Sequence, residues 1–252
     1  MSTNTTLMYG DCLELMPRLK SHSVDMILCD LPYGTTGCKW DSVIPFEPLW
    51  REYKRLIKPS GAIVLFGSQP FTSRLVMSQV DLFKYCLVWE KERATNFLNF
   101  KYQFGKSHED IVVFSKSPAS YTKKGNHMNY YPQMVSGAPY TQKQGRAGHA
   151  IARDERTRNN SVTTRNRGQR YPKSVLRYKT EKGLHPTQKP VPLLEYLIKS
   201  YTNENDTVLD NCMGSGSTGV AAQNLSRGFV GIELDKIYFD TATERMAKRG
   251  DQ

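Results

Sequence analysis

The stretch Cys-Asp-Leu-Pro-Tyr-Gly, residues 29–34, holds two side chains suited to chemistry. Asp30 follows the apolar run Val24-Asp25-Met26-Ile27-Leu28, which reads as a buried strand, so its carboxylate stands at a strand end. Tyr33 sets an aromatic ring directly behind it. Two further acids occupy equivalent places. Asp210 closes the run Thr207-Val208-Leu209, and Glu233 closes Phe229-Val230-Gly231-Ile232. In open α/β sheets, ligands bind beyond the carboxyl ends of the strands. Asp30, Asp210 and Glu233 therefore outline one site.

The turn after Asp210 reads Asp-Asn-Cys-Met-Gly-Ser-Gly-Ser-Thr-Gly, and Gly214-Ser215-Gly216-Ser217-Thr218-Gly219 fits the pattern GxGxxG between a strand and a helix. Such glycines permit a tight turn and let backbone approach a bound nucleotide. Glu233 lies 19 residues after Gly214, where a carboxylate can accept hydrogen bonds from ribose hydroxyls. An adenosine cofactor is the expectation. The pattern leaves NAD and S-adenosylmethionine open, and Asp210 favours the second. A dinucleotide would set its pyrophosphate on the helix N-terminus, whereas a sulfonium and an ammonium welcome nearby carboxylates.

The elements that must position these groups alternate along the chain. Strand patterns occur at 24–28, 62–66, 82–89 and 111–114. Phe46, Leu49, Trp50, Tyr53, Leu56 and Ile57 keep helical spacing, and the turn Pro59-Ser60-Gly61 is expected to stop that helix. After Pro190, residues Leu193, Leu194, Leu197, Ile198 and Tyr201 mark another helix; a last one is expected over 237–248. Continuous apolar runs separated by helices predict an α/β fold with a doubly wound, mostly parallel sheet covered on both faces. Residues 117–182 break the pattern, with only Val135, Ile151, Val162, Val175 and Leu176 as aliphatic or Phe positions. The expected organisation is a discontinuous catalytic domain, 1–116 with 183–252, interrupted by an irregular segment, 117–182.

Charge singles out the same segment. The chain has 35 Lys and Arg against 24 Asp and Glu, a net charge of +11. Residues 117–182 hold 14 basic and 3 acidic residues, leaving 21 of each elsewhere, so all the excess lies in the insert. A polyanion is its natural partner. The five cysteines form no CxxC pair, and His127 and His149 lack metal-ligand spacing; free thiols and no metal are expected. With no apolar run long enough to span a membrane and no signal-peptide pattern at the start, a cytoplasmic protein is expected.

Several motifs in order make the resemblance specific. Asp30-Leu31-Pro32-Tyr33 resembles the catalytic (Asp/Asn/Ser)-Pro-Pro-(Tyr/Phe) motif of the amino-group DNA methyltransferases. The turn from Asp210 resembles their cofactor loop, His185 to Pro190 (HPTQKP) the segment before it, and the stretches from Gly10 (GDCLELM) and His108 (HEDIVVFSK) two further family segments. The order, with a basic segment between catalytic motif and cofactor loop, is that of the β group. The similarity spans the chain outside 117–182. Leu31 departs from the family's first proline; a backbone carbonyl survives that change, and Pro32 still restrains Leu31 towards extended geometry.

The resemblance implies S-adenosylmethionine as cofactor and double-stranded DNA as substrate, with a possible homodimer. Asp30 and the Leu31 carbonyl would accept the hydrogens of an exocyclic base amine, and Tyr33 would stack on a base flipped out of the duplex. Asp11 would reach the cofactor adenine. Asp210, Met213, Gly214, Ser215, Gly216, Ser217, Thr218 and Glu233 would form the main cofactor wall, with Thr187 and Lys189 at its methionine end. In the insert, Arg153, Arg156, Arg158, Arg165, Arg167 and Arg170 are candidate DNA contacts. Adenine N6 is favoured, since Asp-start motifs are commonest in adenine enzymes. Cytosine N4 and RNA adenine remain alternatives, as do protein glutamine, an NAD oxidoreductase and a non-catalytic DNA-binding protein.

Overall fold

The structure, a computed structural model, describes residues 4–35, 41–144, 162–181, 183 and 188–250. The chain forms two compact units, Met1–Tyr131 with Ser174–Gln252, and Pro132–Lys173. In the first, chain order begins β1 (Thr5–Tyr9), α1 (Cys12–Leu15), β2 (Val24–Cys29), α2 (Phe46–Leu56), β3 (Ile57–Gly67), α3 (Phe71–Ser78), β4 (Phe83–Glu90) and β5 (His108–Phe114). The second unit holds two antiparallel pairs: β6 (Val135–Ser136) with β9 (Gln169–Arg170), and β7 (Tyr140–Gln144) with β8 (Val162–Asn166). The first unit then resumes with β10 (Val175–Arg177), α4 (Val191–Tyr201), β11 (Thr207–Asp210), α5 (Ser217–Asn224), β12 (Gly228–Glu233) and α6 (Lys236–Gly250).

Eight strands of the first unit form one sheet in the order β1-β12-β11-β2-β3-β5-β4-β10, with β5 antiparallel to both neighbours and every other pair parallel. All six residues of β2 are buried. Met26 and Leu28 pack with Val64, Leu197, Val208 and Phe229 on one face. Ile27 and Cys29 pack with Leu49, Tyr53, Ile63 and Leu209 on the other. Both faces are covered, as continuous apolar strands require. From β2 the chain crosses to β3 on one side, and from β11 to β12 on the other. The switch point thus lies between the carboxyl ends of β2 and β11, where Asp30 and Asp210 stand.

Two details depart from the sequence pattern. Helix α2 ends at Leu56 and runs straight into β3, so Pro59-Ser60-Gly61 does not form the turn that stops it. Instead the pairing steps from Val24↔Ile57 to Met26↔Ala62, and the extra residues bulge out of β3. A side chain at Gly61 would come within 2.6 Å of the Asp25 carbonyl, so the bulge requires glycine there. The second departure is the extent of the separate unit, which is narrower than the basic stretch 117–182. Met128 is buried in the core of the first unit, Asn129 N–H donates to the Ser60 carbonyl (2.9 Å), and β10 extends the sheet beside β4. None of the described helices is long and apolar enough to cross a membrane.

Candidate active site

Asp30 is the first residue beyond β2, and its carboxylate is held by two donors. Tyr33 Oη donates to Oδ1 (2.7 Å), and the Lys189 ammonium bonds to Oδ2. Lys189 is 7% exposed and lies over the Phe66 ring, 5.0 Å from its centroid. Its Nζ also stands 3.3 Å from Glu109 Oε2, an ion pair, while Lys91 bonds to Glu109 Oε1. Tyr33, Asp30, Lys189, Glu109 and Lys91 thus form one connected chain of charge. Burial alone would depress Lys189, but Asp30 and Glu109 outweigh it and raise its pKa. Burial opposes ionisation of Glu109, yet Lys189 and Lys91 keep it below the usual carboxylate range. Burial, with Asp30 next, pushes the Tyr33 phenol well above its ordinary value, so it stays a donor.

Leu31 is buried and Pro32 half-buried, which fixes the backbone after Asp30. One face of the Tyr33 ring stacks on Phe71, with centroids 5.0 Å apart and planes at 29°. Asp41 accepts from Gly34 N–H (2.8 Å) and Thr35 N–H (2.9 Å). Neither Asp41 nor Glu109 is singled out by the motifs of the sequence. Asp41 carries no motif signal because its partners are backbone N–H groups seven and six residues before it. Glu109 carries a signal of another kind: it is an acid beside the apolar run of β5, next to Trp89 on β4.

A cavity of about 400 Å³ opens in front of these residues, within the usual range for small-ligand sites. Asp30, Leu31, Pro32 and Tyr33 line one part of it; Asp11, Gly214 and Glu233 line another. A recess of about 50 Å³ shares Asp30, Cys212 and Gly214 with it, and is bordered by Lys189, Asp210, Met213, Ser215, Ser217 and Thr218. Gly216 instead turns the chain into α5 at φ +76°, where a side chain would come within 3.0 Å of Ala242 Cβ. Thr187 lies outside the described residues, as do Arg153, Arg156 and Arg158.

The glycine turn is held by acids. Glu233 accepts from Gly214 N–H through Oε2 and from Asp235 N–H through Oε1, both at 2.8 Å. Each oxygen keeps acceptor capacity for a ligand hydroxyl. Burial raises the Glu233 pKa, partly offset by those N–H groups. Asp11 caps α1 by accepting from Leu13 N–H (2.7 Å). Asp210 accepts from Thr218 Oγ1 (2.6 Å) and Cys212 N–H (3.1 Å). From α6, Arg245 donates to the Ser215 carbonyl (3.1 Å) and to Ser217 Oγ (2.9 Å).

In the smaller unit, Arg165 and Arg167 are exposed. Arg170 is engaged within the unit: its guanidinium bonds to Asn166 Oδ1 and the Ala138 carbonyl, and lies over Tyr140 at 4.6 Å. Among the described residues, no group of three or more His, Cys, Asp or Glu is arranged to hold a metal ion.

The family model for N6/N4 DNA methylases matches residues 24–244. The chain belongs to this family. It is an S-adenosylmethionine-dependent DNA methyltransferase. It is 31% identical over 273 aligned positions to the type II methyltransferase M2.LlaDCHI of Lactococcus lactis subsp. cremoris, covering 97% of this chain and 90% of that one. The crystal structure of the M1.HpyAVI–SAM complex matches with a TM-score of 0.62 and 26% identity, over 96% of this chain and 98% of that one. The cytosine-N4-specific PvuII DNA methyltransferase shares the fold at a TM-score of 0.69 and 15% identity, over 100% of this chain and 92% of that one.

The methyltransferase's cavity suits its cofactor chemically. Buried carboxylates border both spaces, Asp210 the recess and Glu233 the cavity, a donor set that fits a cation and ribose hydroxyls, and both have pKa values raised by burial. Asp210 is pushed up to about 6 from 3.8. The folded state therefore binds this proton more tightly than the unfolded chain. Ionising it costs stability as pH rises from about 4 to about 6, and the full cost persists above that. A rise of about two pH units corresponds to about 3 kcal/mol. Without cofactor, Asp210→Asn is expected to flatten this slope and to be more stable than wild type at pH 8. Denaturant unfolding at pH 4.5 to 7 checks it. Identical slopes for the two proteins would assign the titration elsewhere.

Proposed function

We propose that the methyltransferase modifies the N6 amine of adenine, flipped out of a specific double-stranded DNA sequence. The reading rests on Asp30, an ionisable acid rather than serine at the start of the motif, anchored by Tyr33 and Lys189. The lone pair of an exocyclic base amine is delocalised into the ring. Asp30 and the Leu31 carbonyl would accept its two hydrogens, favour a pyramidal nitrogen and free the lone pair. When bound, S-adenosylmethionine supplies a methyl group on a sulfonium. Asp30 is also the group placed to take the proton that the methylated nitrogen sheds. Tyr33 packs on Phe71 and also lines the cavity, where its ring would stack on the extruded base. Incubation with labelled cofactor and unmethylated duplex DNA, followed by nucleoside mass spectrometry, tests the reading. N6-methyldeoxyadenosine is expected; N4-methyldeoxycytidine would overturn it.

Glu233 would hold the cofactor ribose. Glu233→Ala should weaken cofactor binding by roughly 1.5–3 kcal/mol, the size of a hydrogen bond to a charged group. DNA affinity measured without cofactor should hardly change. Unchanged cofactor affinity in calorimetry would remove Glu233 from this role.

Arg165 and Arg167 would contact DNA phosphates, together with Arg153, Arg156 and Arg158. Replacing Arg165 and Arg167 by Gln should flatten the salt dependence of DNA binding, lowering the log–log slope by about 0.9 per lost contact. Arg170 is kept out of this test because its guanidinium braces the smaller unit. An unchanged slope would place both side chains away from the duplex.

A further inference from the structure

The connection between β4 and β5, residues 91–107, exposes large apolar side chains. Phe104 is 98% exposed, Tyr102 87% and Leu98 80%, and Phe97 and Phe100 are exposed as well. Strand β4 is antiparallel to β5, and β5 is antiparallel to β3, so β4 runs with β3 and β2. The loop therefore leaves the sheet at the edge where Asp30 leaves β2. Its roots touch the site. Lys91 bonds to Glu109, which pairs with Lys189 beside Asp30, and Lys106 bonds to Ser68 just beyond β3.

The loop is braced. Its base is closed by Lys91 N–H to the Ser107 carbonyl (2.7 Å) and Thr95 N–H to the Lys106 carbonyl (2.9 Å). The Asn96 side chain spans the two limbs, accepting from Lys106 N–H (2.5 Å) and donating to the Phe104 carbonyl (3.2 Å). A side chain at Gly105 would stand 3.0 Å from Ala94 Cβ and 3.1 Å from Phe100, so the limbs pack closely. An apolar tip held this firmly and turned to solvent marks a contact surface.

Charge indicates the partner. Lys91 and Lys106 are engaged at the roots, but Arg93 and Lys101 are exposed, and the segment's one acid, Glu92, has its carboxylate turned to Thr180 N–H (2.9 Å) and Oγ1 (2.7 Å). Basic residues interleaved with aromatic rings suit phosphates and bases together. We propose that residues 97–104 dock on duplex DNA beside the target nucleotide, setting Leu98, Tyr102 and Phe104 against the bases around it. Apolar side chains pressed against a base step lower the cost of unstacking it. The surface thus assists extrusion and adds to whatever contacts the smaller unit makes. This rests on methylation within duplex DNA, and not on which base is modified.

The test compares Tyr102→Ser/Phe104→Ser with wild type, using labelled methyl transfer to unmethylated bacterial genomic DNA. The expected result is a kcat/KM for DNA lowered tenfold or more, with an unchanged salt slope because no phosphate contact is lost. Cofactor affinity, melting temperature and sedimentation should match wild type. Leu98→Ser alone should act in the same direction. A kcat/KM within twofold of wild type for both variants overturns the proposal. So does a loss accompanied by conversion of a dimer to a monomer, which would put a second copy of the chain on this surface. Wild-type activity on the same DNA checks the underlying methylation separately.

Discussion

Asp30→Ala is expected to lower single-turnover methyl transfer by about a thousandfold or more, with DNA affinity close to wild type. The variant removes one of the two proposed acceptors that prepare the amine, and preorganised groups acting in the transition state are commonly worth about 10²–10³ each. Loss of proton acceptance by the same carboxylate adds to this. A group used mainly in the transition state lowers turnover more than substrate binding. The structure adds a cost in stability, because Asp30 anchors both Tyr33 Oη and Lys189. Lys189 keeps Glu109 as a partner, so this cost should stay near 1–3 kcal/mol. Turnover within about tenfold of wild type, measured on folded protein at saturating cofactor and DNA, would remove Asp30 from the chemistry.

The centre of the sheet was legible because β2, β11 and β12 are apolar runs that end in acids, and packing on both faces demands such runs. Their carboxylates reach one site because parallel strands share a carboxyl edge. Other parts depend on contacts that composition does not show. Residues 128–131 join the first unit through a buried methionine, the Tyr130–Tyr201 ring contact, the Tyr131 hydroxyl and backbone hydrogen bonds, with no periodic apolar pattern to announce them. The edge strand β1 is only five residues long and partly exposed, so it left no clear pattern. The bulge in β3 looks like a turn in sequence, since Pro-Ser-Gly serves either purpose. Lys189 was placed near the cofactor by motif alone. Its ammonium lies against Asp30, 159 residues away in sequence, a pairing that only the crossing of the chain at the sheet edge creates.

Lys189→Met should be the most destabilising of the substitutions considered, by about 3–5 kcal/mol at pH 8. Breaking a buried ion pair on one side leaves uncompensated charge, here on Asp30 and Glu109. Methionine approximates the length of the stem over Phe66, so packing contributes little to the loss. The pH dependence identifies the cause. In wild type, the raised pKa of Lys189 makes its contribution complete below about 10.5, lost only as pH climbs through the folded value. The depressed pKa of Glu109 makes its contribution complete above about 4.5, lost as pH falls. Removing the ammonium raises the Glu109 pKa, so the variant's deficit should be largest near neutrality and above, and narrow below about pH 5. Adding Glu109→Gln should recover more than half of the lost stability, since the amide can still accept from Lys91 without carrying charge. Methyl transfer separates the two roles of the lysine. If Lys189 orients Asp30, the double variant folds well and stays slow. A deficit independent of pH would reduce the effect to packing, and full recovery of activity in the double variant would leave Lys189 as ballast for Glu109 alone.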